Sequence, residues 1–161
     1  MIRLVKTEWF QMIADPELTA PVKPAGLINS EYPYFMEEKA FRRLEHKVAS
    51  YHPQMGMECC DFLFAPTFMV SDRFQSLFQT MAPQMEFRNV TLLPDIDGSG
   101  AKPIHYWVPF LPADDAGKRV RCQQGRDKVA WLFSLEAVES ILRRAPLGIR
   151  FVQVEDDGEW A

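Results

Sequence analysis

The sequence DFLFAPTFMVSDRFQSLFQTMAP (Asp61–Pro83), which continues as QMEFRNVTLL (Gln84–Leu93), has the clearest secondary-structure pattern in the chain. Its centre has the spacing i, i+3, i+4 and i+7 of a helix with one apolar face, carried by Phe74, Leu77, Phe78 and Met81. Ser71 predicts the helix start, since a serine hydroxyl can accept a hydrogen bond from a backbone N–H of the first turn. Pro83 predicts its end, because proline cannot continue the helical hydrogen bonds. Apolar runs lie on either side, so we predict a unit of strand, capped helix and strand.

A second stretch, from Lys128 to Val154, follows the same order. The run 128–133 predicts a strand, and Ser134 again predicts the start of a helix. The apolar positions of that helix are Leu135, Val138, Ile141 and Leu142. Pro146 ends it, and Ile149–Val154 is predicted to be the last strand. Either the chain carries an internal duplication, or the likeness reflects serine caps and helix-stopping prolines, which many α/β chains share.

Before Asp61, the pattern changes three times. Met1–Val5 and Trp9–Ile13 are short apolar runs that predict strands. Asp15–Pro33 is rich in proline and predicts an irregular segment. Tyr34–Ser50 predicts a helix, whose apolar stripe is formed by Phe41, Leu44 and Val48.

After Leu93, loops and strands alternate. Pro94–Pro103 contains Asp, Gly and Pro and predicts the loop at the tip of a hairpin. Ile104–Leu111 predicts a strand, in which Pro109 favours an edge position or the strand end. Pro112–Asp127 predicts a second long loop. Together these elements predict one α/β or α+β domain, with a mixed sheet covered by about three helices.

The composition limits what the chain can do. Its 161 residues favour a single domain, and its net charge of -4 gives no electrostatic footprint for nucleic acid. No run approaches the ~20 apolar residues of a membrane span, and Arg3, Lys6 and Glu8 interrupt what would be a signal peptide. Three cysteines, of which Cys59 and Cys60 are adjacent, do not suit a disulfide framework. We therefore expect a soluble cytoplasmic protein with no nucleic-acid or membrane partner, while its oligomeric state stays open.

Two patterns resemble metal sites without completing them. Asp95, Asp97 and Ser99 begin like a calcium loop, but Tyr106 occupies the closing position, where such a loop needs glutamate. The second pattern is a group of four residue types that bind zinc: His46, His52, Cys59 and Cys60. Its spacing contains neither of the pairs, C-x2-C or H-x3-H, that let two ligands face one ion. We expect a plain turn at the first place, and no metal or cofactor at either.

A catalytic pair is conceivable between His105 and either Cys60 or Cys122, as imidazole and thiolate. However, the sequence has no nucleophile motif, dinucleotide fingerprint, phosphate-binding loop or zinc-protease motif. A free cysteine is usually a small buried apolar residue. We therefore expect no enzyme and no catalytic residues. The competing enzyme hypothesis predicts a concave pocket that holds His105 or a cysteine with a shifted pKa.

Acidic residues cluster at three loop-like places: Asp95 and Asp97, Asp114 and Asp115, and a last group of Glu155, Asp156, Asp157 and Glu159. If these clusters converge, they form a negative surface that steers a basic protein partner towards it. Trp160, beside the last cluster, is a candidate anchor, since tryptophan is enriched at binding hot spots. Alternatively, each cluster is a solvated rim and Trp160 docks onto its own domain.

Several motifs between Asp61 and Val154 occur in a defined order. They are an Asp-led apolar run ending at Pro66, a Val-Ser pair at Ser71 before an amphipathic helix, a Val-x-Leu-Leu-Pro strand end at Pro94, a strand with Tyr106, a Phe-Ser-led helix from Phe133, and Gly-Ile-x-Phe at Gly148–Phe151. In this order they resemble the bacterial immunity-protein families of polymorphic and contact-delivered toxin systems. Residues 1–60 and the region 113–128 have no counterpart in the resemblance, and 155–161 form an acidic tail.

The resemblance implies a protein that binds a cognate toxin domain and blocks its active site or its substrate access. It carries over no individual contacts, so the acidic clusters and Trp160 are candidates from charge and residue type alone. An adaptor or chaperone for a secreted effector is the alternative. Such a protein would bind an unfolded or amphipathic segment without abolishing the effector's activity. A small cytosolic enzyme is the third hypothesis.

Overall fold

The secondary structure follows the sequence patterns over most of the chain. The computed structural model describes residues 8–18, 20–26, 38–43, 45–97, 100–111, 119–124 and 129–154. Within these ranges the helices are α1 (Glu38–Arg43), α2 (Asp72–Met81) and α3 (Leu135–Leu142). The strands are β1 (Trp9–Ala14), β2 (Lys47–Tyr51), β3 (Phe62–Leu63), β4 (Met69–Ser71), β5 (Glu86–Pro94), β6 (Ile104–Phe110), β7 (Val120–Gln124), β8 (Val129–Ser134) and β9 (Ile149–Val154). The α+β fold with three helices is confirmed.

The strands divide between two sheets. The five-stranded sheet has the order β2-β5-β6-β4-β3 and is mixed, because β2 runs parallel to β5 while its other pairs are antiparallel. The four-stranded sheet has the order β7-β8-β1-β9 and is antiparallel throughout. Pro109 lies near the end of β6, in the middle of the first sheet. It is tolerated there because β4 pairs only with Tyr106 and Trp107, so β6 has a strand on one side alone at Pro109.

The two predicted strand–helix–strand units have the same topology. In the first, β4 and β5 lie on either side of β6 and both run antiparallel to it. In the second, β8 and β9 lie on either side of β1 and both run antiparallel to it. The outer strands β3 and β7 are also equivalent, as antiparallel neighbours of β4 and β8. The two units are therefore alike in strand pairing as well as in sequence. They differ in chain order, because the central strand β6 follows the first unit whereas the central strand β1 precedes the second.

The first hydrophobic core lies between α2, α3 and the four-stranded sheet. The predicted face of α2 is confirmed, since Phe74, Phe78 and Met81 are buried and Leu77 is partly buried. The Phe78 ring lies 5.6 Å from that of Phe133 in β8, measured between centroids. The two units thus bury their apolar faces against each other.

A second core covers the opposite face of the five-stranded sheet. Val90, Leu92 and Tyr106 project into it from β5 and β6. Phe41 of α1 closes it, stacked on Phe110 with 4.8 Å between ring centroids. The five-stranded sheet therefore carries apolar side chains on both faces. The face towards α2 is only partly covered.

An ion pair with a buried carboxylate, which we call the Asp61 clasp, joins the two units. The Oδ1 atom of Asp61 accepts hydrogen bonds from Arg73 Nε at 2.8 Å and from the Ser71 hydroxyl at 3.0 Å. Its Oδ2 atom accepts from Arg73 Nη2 at 2.8 Å and from the backbone N–H of Leu147 at 2.9 Å. Arg73 also donates to the carbonyl of Arg144, just after α3, at 2.8 Å. The clasp therefore holds the start of α2 against the turn between α3 and β9.

The two serine caps behave differently from each other. Ser134 caps α3 as predicted, with its hydroxyl accepting a hydrogen bond from the N–H of Ala137 at 3.3 Å. Ser71 is the N-cap residue of α2 as predicted, but the predicted hydrogen bond is not formed, because no backbone N–H of α2 donates to its side chain. Its hydroxyl donates instead to Asp61, a charged acceptor, and such hydrogen bonds are the stronger ones.

The predicted helix over Tyr34–Ser50 is wrong in its second half. Only Glu38–Arg43 is helical among its described residues, and Lys47–Tyr51 is strand β2. Ala49 and Tyr51 are buried, whereas Val48 is exposed and Ser50 only partly buried, which is the alternation of a strand. The i, i+4 spacing of Leu44 and Val48 was coincidental, and pairing with β5 decided the structure.

Two further predictions need correction. The predicted loop Pro112–Asp127 contains strand β7, because Val120–Gln124 pair along their length with β8. On α3, Leu135 and Leu142 are exposed, and Ala137 joins Val138 and Ile141 on the buried face. The predicted strand Met1–Val5 lies outside the described residues.

Candidate functional site

Two loops lie side by side where β2 and β5 end. The two strands are parallel, so their C-terminal ends reach the same edge of the sheet. The N–H of Asp95 donates to the carbonyl of Tyr51 at 3.0 Å, which continues the strand pairing by one step. His52 Nδ1 lies 3.0 Å from Asp95 Oδ1, so the loop that carries Asp95 is tied to the turn after β2.

Apolar side chains are exposed at this edge among the acidic ones. Leu93 and Ile96 keep 42% and 43% of their surface accessible, and Met55, in the turn after β2, is fully exposed. Asp95 and Asp97 are exposed beside Ile96 in the same loop. We call these five residues the acidic–apolar surface. Exposed apolar groups next to charged ones are typical of surfaces that bind other proteins, and methionine is enriched there.

The adjoining sheet face is open as well. Paired residues of neighbouring strands project to one face, which places Val48, Thr91 and His105 in a row. Helix α2 covers this face further along, where the indole N–H of Trp107 donates to Asp72. Val48 is 57% exposed, so the helix stops short of β2.

A polar cluster fills the middle of this open face. The Thr91 hydroxyl is buried beneath two histidines, 3.1 Å from His105 Nδ1 and 3.3 Å from His46 Nε2. It also donates to Asn89 Oδ1 at 3.2 Å. The hydroxyl is therefore satisfied within the sheet face. The cluster explains His46 and His105 structurally, and it leaves their outer ring edges available to a partner.

The structure describes only part of the acidic set that the sequence predicted. Asp95 and Asp97 lie on the acidic–apolar surface. The other five candidates, Asp114, Asp115, Asp156, Asp157 and Trp160, lie outside the described residues. Convergence of the three clusters therefore stays a prediction.

The charge pattern of the sequence did not predict the apolar members of the surface, which are Met55, Leu93 and Ile96. One signal was available for Leu93. Because successive strand residues face opposite sides, Leu92 and Leu93 cannot both enter the same core. Leu92 is fully buried and Leu93 is not.

The cysteines are not arranged as nucleophiles. All three are free thiols. Burial raises the pKa of Cys60, with Glu58 adding to the effect, and burial alone raises the pKa of Cys122 to about 12. Both shifts favour the unreactive thiol over the thiolate. Within the described residues no hydrogen bond joins either thiol to His105, which bonds to Thr91. The enzyme hypothesis predicted a pocket that holds a cysteine with a shifted pKa, and a cavity does hold Cys60. However, the pKa of Cys60 is raised, which disfavours the thiolate that a nucleophile needs.

No metal centre is formed in the part of the chain that the structure describes, since no three histidine, cysteine or acidic side chains converge. The four residues considered for zinc have other neighbours. His46 bonds to Thr91, His52 bonds to Asp95, Cys59 is exposed, and the Cys60 thiol donates weakly to the Glu58 carbonyl. Asp95, the first residue of the calcium-like loop, is likewise engaged with His52.

Comparison with known proteins adds no family. No protein-family model matches this chain, and no curated protein matches it significantly in sequence. None of the described helices combines the length and apolar character that crossing a membrane requires.

Proposed function

We propose that this protein is an immunity protein, which binds a cognate bacterial toxin domain in the cytoplasm and blocks its active site or substrate access. The observation that carries the proposal is the acidic–apolar surface, in which Leu93, Ile96 and Met55 are exposed beside Asp95 and Asp97. The resemblance in motif order supplies the class of partner.

The apolar members of the surface supply affinity. An apolar side chain that leaves water on binding contributes favourable free energy that grows with the area it buries. Met55 suits this role because its unbranched side chain adapts to the shape of a partner. Leu93 is held by β5 and Ile96 by the loop that His52 fixes, so little ordering is needed when a toxin binds.

The carboxylates supply selectivity and speed. Asp97 has no ion-pair partner among the described residues, so its charge is available to a basic partner. A negative patch accelerates the approach of a basic surface and disfavours an acidic one. A toxin that cleaves or modifies nucleic acid has such a basic cleft, and covering that cleft would block its substrate.

The test is co-expression with the product of the neighbouring gene. We expect that product to be toxic alone, harmless when this chain is co-expressed, and recovered with it as a stable complex. The matched control is the same plasmid with a stop codon early in this gene, which should leave the toxicity intact.

Other outcomes would overturn the proposal. A neighbour that is harmless alone, or toxicity that persists with this chain present, contradicts an immunity function. A stable complex that forms without loss of toxicity favours the adaptor or chaperone instead.

A further inference from the structure

A cavity of about 530 Å³ opens at the junction of the two sheets, away from the acidic–apolar surface. Its walls come from the end of β1 (Ala14) with Asp15, from Leu18 and residues 21–24, and from Cys60 and residues 62–66, which include β3. Gly148, just before β9, closes it on the fourth side. Cavities of roughly 300–1,000 Å³ typically bind small molecules. This volume is therefore sufficient for a ligand with a chain or a ring of carbon.

The walls of this cavity are mostly apolar. Leu18 and Val22 line it from the N-terminal segment, and Phe62, Phe64 and Pro66 line it from the opposite side. A ligand that enters must bring an apolar body, since an apolar wall offers polar groups nothing to replace their water.

The wall at Gly148 is closely fitted. A Cβ atom placed there would lie 3.0 Å from Cys60 Sγ and 3.1 Å from Leu18 Cδ1. The residue also has a positive φ of 97°, which only glycine adopts readily. Glycine therefore lets Cys60 and Leu18 approach the backbone, and the N–H of Asp15 donates to the Gly148 carbonyl at 2.9 Å. The contacts of Gly148 with Cys60, Leu18 and Asp15 therefore hold this wall of the cavity in place.

The rim carries one available charge. Asp15 is engaged, because its Oδ1 atom accepts from Arg150 Nε at 3.1 Å and from the N–H of Glu17 at 3.0 Å. Arg150 is in turn engaged by Glu17, at 3.0 Å. Lys23 is exposed, and no carboxylate within the described ranges forms an ion pair with it. A single ammonium group at the mouth of an apolar cavity favours a ligand with a single negative charge.

We propose that this cavity binds a small amphipathic carboxylic acid, with its apolar body against Phe62, Phe64 and Leu18 and its carboxylate at Lys23. A phosphate headgroup fits less well, because it carries more charge than one lysine balances and it favours arginine forks. The proposal does not depend on the toxin-binding function, since none of the cavity residues belongs to the acidic–apolar surface.

The experiment is a calorimetric titration of the full chain with octanoate as the probe. We expect saturable binding of octanoate and at least tenfold weaker binding of octylammonium, which has the same chain and the opposite charge. Lys23→Met should weaken octanoate binding about two- to fivefold, the range expected for an exposed ion pair. Lys102→Met removes an exposed lysine outside the cavity and should leave the affinity unchanged.

A filling variant tests the location. Ala14 is exposed at the cavity mouth, so Ala14→Trp should abolish binding without disturbing the core. If thermal unfolding shows that this variant does not fold, Pro24→Trp on the opposite rim replaces it. Absence of saturable binding to the natural chain, equal binding of octylammonium, or full binding by a folded filling variant would overturn the proposal.

Discussion

Asp61 and Arg73 form a two-pronged ion pair, with both nitrogen–oxygen distances at 2.8 Å, and this pair fixes the first strand–helix–strand unit against the second. The carboxylate is buried, with one-tenth of its side-chain surface accessible, whereas half of the Arg73 side chain is exposed. The pair has no role on the acidic–apolar surface. It instead determines how the scaffold that carries the surface holds together.

Removing the charge of the clasp should destabilise the fold. Asp61→Asn keeps the size of the side chain but leaves Arg73 and the Leu147 N–H with a weaker acceptor. We expect a loss of about 2–4 kcal/mol in the free energy of unfolding, measured by urea denaturation. Asp15→Asn, which breaks the more exposed pair with Arg150, is the matched control and should cost less than about 1 kcal/mol. Equal costs for the two variants would contradict the special role of the clasp.

The clasp also predicts a pH dependence. Burial by itself would raise the pKa of Asp61, but hydrogen bonds from Arg73, the Leu147 N–H and Ser71 outweigh burial and hold the pKa below its ordinary value. A depressed pKa in the folded state means that the stabilisation is complete above the unfolded pKa of about 3.9, and is lost as the pH falls through the folded pKa.

The difference in unfolding free energy between the natural chain and Asp61→Asn should therefore shrink between about pH 5 and pH 2. The measurement is urea denaturation of both proteins across this range. A constant difference at every pH would show that the carboxylate does not act through its charge.

Phe78 is the position where the first core should be most sensitive. Its ring is fully buried and packs against Phe62, Phe68 and Phe133. Phe78→Ala should cost about 3–5 kcal/mol, from lost burial and the cavity left behind. Leu142→Ala, at an exposed position of α3, should change stability by less than about 0.5 kcal/mol. A cost below about 1 kcal/mol for Phe78→Ala would mean that the core closes over the missing ring.

The two serines before α2 and α3 should be distinguishable by pH. Ser134→Ala removes a helix cap and should cost about 1 kcal/mol at any pH between 2 and 7. Ser71→Ala removes a hydrogen bond to a carboxylate, which is roughly twice as strong as a bond to a neutral acceptor. Its cost should therefore fall by about half once Asp61 is protonated. Thermal unfolding of both variants at pH 7 and at pH 2 would measure this. If the two variants lose the same stability at each pH, Ser71 does not belong to the clasp.

These serines show how far the sequence predicts the fold. Helix α2 and its buried face followed from the spacing of Phe74, Phe78 and Met81, because the apolar period of a helix is local information. The role of Ser71 did not follow, since its partner Asp61 is brought near by the pairing of β3 with β4. The local capping rule predicted that the Ser71 hydroxyl bonds to a backbone N–H, which is the commoner partner. In the folded protein the hydroxyl bonds to the Asp61 carboxylate instead.

The same limit explains the errors in the strands. β2 and β7 were predicted as helix and loop, because neither Lys47–Tyr51 nor Val120–Gln124 carries a strong pattern of its own. Each becomes a strand by pairing with a neighbour, β5 or β8. For the candidate site, charge predicted Asp95 and Asp97. The place of Met55 could not be predicted, because the turn that carries it is brought to the Asp95 loop by the parallel pairing of β2 with β5.

The proposed immunity function requires that this chain bind its toxin through the acidic–apolar surface. The most direct measurement is the dissociation constant of the purified complex with the neighbouring gene's product, for the natural chain, for Met55→Asp with Ile96→Asp, and for the control Leu142→Asp. We predict that the double variant binds at least about tenfold more weakly and fails to protect cells, because central apolar contacts dominate interface energies. The control changes an exposed leucine on α3, outside the acidic–apolar surface, and should bind like the natural chain. Unchanged affinity of a folded double variant would contradict the claim and place the binding surface elsewhere.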